Sequence, residues 1–176
     1  MLIIDNETGA MLRAIRRFGS IPGKKALQKV MYFANLENPL FSFEWNKFGP
    51  YSEELKYTFD AALMAEQIDV EPEELMTRKG QQFNMKLSQQ GQRLIEAIPP
   101  DEPTENGINF AYELLNEKNP RQMELLASVH YIVSNSNSEI DPEEIYETID
   151  LLKPNAGFTL EDVQEALAEL EEFNLI

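Results

Sequence analysis

The stretch LFSFEWNKFGPYSEEL, residues 40–55, says most about the fold. Phe41, Phe43 and Trp45 alternate with Ser42, Glu44 and Asn46, the period-two pattern of a half-buried strand. Gly49-Pro50 ends that strand, because proline fixes φ and has no N–H to give to a ladder. Ser52 then offers an oxygen to the free amides of a following helix, and Glu53 and Glu54 sit at its positive end. A helix over 53–67 is predicted, with Leu55, Phe59, Ala62 and Leu63 as its buried stripe.

Working outward, residues 7–19 place Met11, Leu12, Ile15 and Phe18 at helical spacing, with Arg13, Arg16 and Arg17 outside that stripe and Gly19 as a stop. Ser20-Ile-Pro-Gly reads as a turn. Lys24 to Leu36 reads as a second amphipathic helix, ended by Asn38-Pro39. Downstream, residues 74–85 suggest a hairpin turning at Arg78-Lys79-Gly80, and Ser88 caps a helix through Ile98. The run Pro99-Pro100-Asp101-Glu102-Pro103 cannot continue that helix and marks the best boundary in the chain. Beyond it, helices are expected over 106–118, 121–133, 142–152 and from Leu160 onward. The expected fold is mainly α with a small antiparallel sheet: a winged-helix-like part over 1–98, then an acidic helical part over 104–176, as a domain or an extension packed on the first.

Composition narrows the chemistry. The chain has 176 residues, no cysteine and one histidine, His130, which excludes disulfides, thiolate zinc sites and clusters of imidazole ligands. No apolar run approaches the ~20 residues of a membrane span, and residues 1–4 are too short for a signal peptide, so a soluble, cytoplasmic protein without cofactor is expected. Net charge is −16, and its distribution is uneven. Residues 1–98 carry 12 basic and 13 acidic side chains, a net of −1, while residues 99–176 carry 3 and 18, a net of −15. Such a surface repels phosphate backbones and attracts basic partners.

At Lys25-Ala26-Leu27-Gln28-Lys29-Val30-Met31-Tyr32, followed by Phe48-Gly49-Pro50-Tyr51-Ser52-Glu53-Glu54-Leu55, the chain resembles the YwgA-like proteins and, more distantly, the Panacea-domain proteins. Their shared pattern is a Leu-Gln-Lys helix, an aromatic strand and a Tyr-Gly-Pro-Tyr-Ser turn; here Phe48 replaces the usual tyrosine. Leu87-Ser88-Gln89-Gln90-Gly91 and Leu151-Leu152-Lys153-Pro154 also fit. The resemblance implies a bacterial or archaeal protein without an established catalytic set, whose relatives include antitoxins, mobile-element proteins and a proteolytic adaptor. What those relatives share is the binding of another protein.

Candidate sites are few. Turn chemistry accounts for Phe48, Gly49, Pro50, Tyr51 and Ser52 as structural residues. His130, flanked by Val129 and Tyr131, reads as a core histidine bonded to a neighbour, since nucleophilic catalysis needs an oriented partner. Carboxylate pairs such as Glu143/Glu144 lie on exposed helix faces and single out no acid–base couple. The one cationic cluster is Arg13, Arg16, Arg17, Lys24, Lys25 and Lys29, six positive charges within 17 residues. It could contact nucleic acid or a partner, or dock on the acidic half. Against DNA, the helix after the Gly-Pro turn, in the place of a recognition helix, opens on two carboxylates. The expected function is therefore a non-enzymatic protein-interaction module, antitoxin-like or adaptor-like, with a basic partner. A DNA-binding regulator using the cluster, as a homodimer, is the alternative, and an acidic DNA-mimic inhibitor the third.

Overall fold

In the computed structural model, which describes residues 4–73 and 82–176, helices dominate and each but one opens on its own cap. Asp5, Ser52, Ser88, Asp101, Asn119, Asp141 and Thr159 each accept an amide of the first turn through the side chain. These caps start α1 (Asn6–Phe18), α3 (Glu53–Met64), α4 (Gln89–Glu96), α5 (Glu102–Leu115), α6 (Pro120–Ser134), α7 (Pro142–Leu152) and α8 (Leu160–Glu172). The exception is α2 (Lys24–Ala34), whose N-cap is Gly23, with φ at 99°, and whose first turn carries Lys24 and Lys25.

Strands are short. A three-stranded antiparallel sheet has the order β1 (Ile21–Pro22), β5 (Gln82–Leu87), β4 (Ile68–Glu73), and a separate ribbon pairs β2 (Glu44–Asn46) with β3 (Gly49–Tyr51). The succession α1, β1, α2, α3, β4, β5 with β5 central is winged-helix-like, with the β2–β3 ribbon inserted between α2 and α3. The fold class expected from the sequence, mainly helical with a small antiparallel sheet, is the one observed.

Several boundaries differ. Ile21-Pro22 is a strand rather than a turn, because Ile21 is fully buried against Met85 of β5. The strand expected over 40–48 shortens to Glu44–Asn46, and Gly49-Pro50-Tyr51 is its partner strand instead of its end. The wing begins at Ile68, six residues before the expected Glu74, and the turn at Arg78-Lys79-Gly80 lies outside the described residues. Leu63 is 37% exposed, outside the buried stripe of α3.

The proline cluster does not separate two cores. Asp101 caps α5 and Pro103 sits in its first turn, where a missing N–H costs nothing. A single apolar core then draws Met11, Ile15 and Phe33 from the first half together with Ile108, Leu114 and Val129 from the second. Helix α5 approaches α2 so closely that a Cβ on Gly107 would lie 2.3 Å from the carbonyl oxygen of Ala34. The helices beyond the proline cluster thus pack on those of the first half. No helix among the described residues is long and apolar enough to cross a membrane.

Candidate functional site: a cation-rimmed apolar groove

The two sequence segments that carry the family-like pattern meet as one clasp. Gln28 of α2 donates from Nε2 to the Ser52 carbonyl (2.9 Å) and accepts the Ser52 amide on Oε1 (2.8 Å). Lys29 donates from Nζ to the Pro50 carbonyl at 2.8 Å. Ser52 Oγ accepts the Leu55 amide and so starts α3. Gly49 has φ at 92°, and a Cβ there would come 2.7 Å from Ser128 Oγ on α6. All five residues from Phe48 to Ser52 therefore lie in or beside a structural clasp between α2, the ribbon and α6.

The cationic cluster is divided, not gathered on one face. Arg13 is 6% exposed, which corrects its expected place outside the buried stripe: it donates to the Ile98 carbonyl at 2.6 Å and pairs with Glu105 at 3.2 Å. It thereby bonds the end of α4 to the start of α5. Arg17 stacks on Tyr112, 3.6 Å from the ring centroid, and donates to Asn109 of α5. Lys29, at 2% exposure, belongs to the clasp, and burial pulls its ammonium down to about 8. Only Arg16, Arg17, Lys24 and Lys25 of the six are exposed. His130 is 5% exposed and 2.6 Å from the Tyr32 hydroxyl; burial lowers its pKa to about 4, as suits a neutral core imidazole.

Lys24 and Lys25 instead open onto a groove of about 870 Å³ that cluster reasoning missed. One wall comes from the winged-helix part: Phe48 beside the clasp, Phe59 and Leu63 on α3, and Val70, Phe83 and Met85 on the wing. The opposite wall comes from the acidic part, with Pro120 at the start of α6, Leu152 at the end of α7, and Phe158 before α8. Phe83 is 46% exposed and Leu152 43%, values that mark an open apolar floor.

The rim is basic. Lys24, Lys25, Lys47, Arg121 and Lys153 line the groove against one carboxylate, Glu124, among the described residues. Lys153 is spoken for: it bonds Glu124 at 2.5 Å and the Lys47 carbonyl at 3.2 Å, and burial lowers its pKa. Lys24 lies 3.5 Å from Asp60, an exposed pair of small energetic weight. Lys25, Lys47 and Arg121 have no carboxylate partner among the described residues. Lys25 sits 3.3 Å above Phe48, and Arg121 lies 4.2 Å from Phe158 and donates to the Ala156 carbonyl, so an aromatic face places the first cation and an aromatic face with a backbone bond the second.

The half of the chain with net −15 thus contributes two of its three basic residues to this groove, while the third, Lys118, pairs with Glu169. That thrift was the available sequence signal, together with Leu152, an apolar residue beside Lys153 at the exposed end of a helix. No group of three or more His, Cys, Asp or Glu among the described residues could hold a metal. No protein-family model matches the chain, and no curated protein matches it in sequence.

Proposed function

We propose that this protein is a non-enzymatic interaction module, of the antitoxin or adaptor kind suggested by its resemblance to YwgA-like and Panacea-domain proteins, and that its partner docks in the groove. The observation that carries the reading is the open apolar floor between the wing and α7, rimmed by cations on an otherwise acidic molecule. The described lining offers lysine, arginine, one glutamate, one asparagine and apolar side chains, a set suited to holding a surface rather than to nucleophilic chemistry. Outside the groove, the acidic exterior would steer a partner with a basic body, as charge complementarity raises encounter rates. A cytoplasmic setting fits a chain without cysteine.

The division of the cationic cluster weakens the DNA-regulator alternative, because Arg13 and Lys29 are unavailable to phosphates. The test is capture from cells by the full chain beside a Phe83→Asp/Leu152→Asp variant, with duplex titrations in parallel. A specific protein held by the wild type and lost by the variant is expected. Salt-sensitive duplex binding that disappears in Arg16→Ala/Lys24→Ala would replace this reading with the regulator.

A further inference from the structure

Resting on that reading, we infer that the groove takes a partner segment in which large apolar side chains alternate with carboxylates: an acidic, apolar peptide stretch rather than a basic one. The floor supplies the first requirement. Phe83, Leu152, Leu63 and Val70 are each more than a third exposed, and a segment that covers them removes apolar surface from water on both walls. The rim supplies the second. Lys25 and Lys47 on one wall and Arg121 on the other have no carboxylate partner among the described residues, and only Glu124, already bonded to Lys153, opposes them in the lining.

Charge sets the sign of the occupant at contact distance, whatever the net charge does further away. Beyond about 8 Å the field of −16 is largely screened in physiological salt, whereas a carboxylate lodged on the rim meets Lys25 and Arg121 directly. A basic segment would place its cations against these with one compensating carboxylate among the described lining residues. Single-stranded nucleic acid is the other polyanion that uses basic grooves, and it needs open aromatic faces for base stacking. Here Lys25 lies over Phe48, Lys24 over Phe59 and, on the opposite wall, Arg121 over Phe158, so three rings already present a face to a cation. The remaining floor is aliphatic or methionine apart from Phe83, as an apolar peptide side chain requires.

The experiment selects two displayed peptide libraries on the full chain, with Leu, Met and Phe at the same positions and either Asp/Glu or Lys/Arg between them. A single-stranded oligonucleotide serves as competitor. The acidic library should yield binders that weaken roughly tenfold or more on Lys25→Glu/Arg121→Glu and recover when their carboxylates are changed to lysine. Should that variant fail to fold, Lys25→Gln/Arg121→Gln gives a smaller loss of the same sign. Binders from the basic library, or binders indifferent to charge reversal but lost in Phe83→Ser/Leu152→Ser, would overturn the acidic occupant and leave groove docking standing. Displacement by the oligonucleotide would overturn it in favour of nucleic acid. Binders indifferent to every groove change, or none from either library, would sink both the occupant and the docking reading.

Discussion

The clasp and the groove lie side by side, share Phe48 as a border, and are built from the same residue types in opposite states. In the clasp, Lys29 is 2% exposed and its ammonium is committed to the Pro50 carbonyl, while Gln28 uses both ends of its amide on Ser52. In the groove, Lys25, four residues earlier on the same helix, is exposed, and Phe83 and Leu152 of the same lining are nearly half in water. One turn of α2 separates a lysine that holds the fold from one that is exposed and has no carboxylate partner among the described residues. Burial and satisfied hydrogen bonds, not residue type, distinguish the structural cation from the candidate binding cation.

The contrast can be broken most forcefully at Gly49. Alanine there would have to adopt φ near 92° and press its Cβ on Ser128 Oγ, so Gly49→Ala should cost about 3–4 kcal/mol in urea unfolding. A loss below about 1 kcal/mol would show that the clasp is not rigid.

Lys29 gives the next largest effect. Its pKa falls from 10.5 unfolded to about 8 folded, so the unfolded chain holds the proton more tightly. Between those values stability should rise with pH, because the unfolded state binds more protons and deprotonation relieves the buried charge. From pH 8 to above pH 10 the wild type should therefore gain as much as about 3 kcal/mol of stability relative to Lys29→Met. A flat difference would show that Lys29 is better hydrated than its 2% exposure indicates. At the small end, Leu152→Ser in the groove should change stability by about 1 kcal/mol or less while abolishing partner docking. A large loss of stability there would make the groove wall part of the core.

Much of the fold was legible because it rests on local chemistry. Ser52, Ser88, Asp141 and Thr159 cap the helices that their positions announce, and Asp141 and Thr159 form capping boxes with Glu144 and Asp162. His130 reads as a core residue and is one. What misleads is any inference from clustering along the chain. Arg13 falls outside the apolar stripe of α1 and so reads as surface, yet the carbonyls of Ile95 and Ile98, more than eighty residues away, give it a buried seat. Ile21-Pro22 is a strand only because β5 returns beside it.

The sequence by itself determined the helical class, the caps, the small sheet and the lopsided charge, all of which follow from spacing and composition over a few residues at a time. Tertiary structure alone decided which lysines are buried and which line the groove. Lys25 and Phe48 are brought opposite Arg121, Lys153 and Leu152 by the packing of α2 against α5 and α6, across roughly a hundred residues of chain. No local pattern encodes that meeting, because a side chain's exposure depends on what the rest of the chain lays over it.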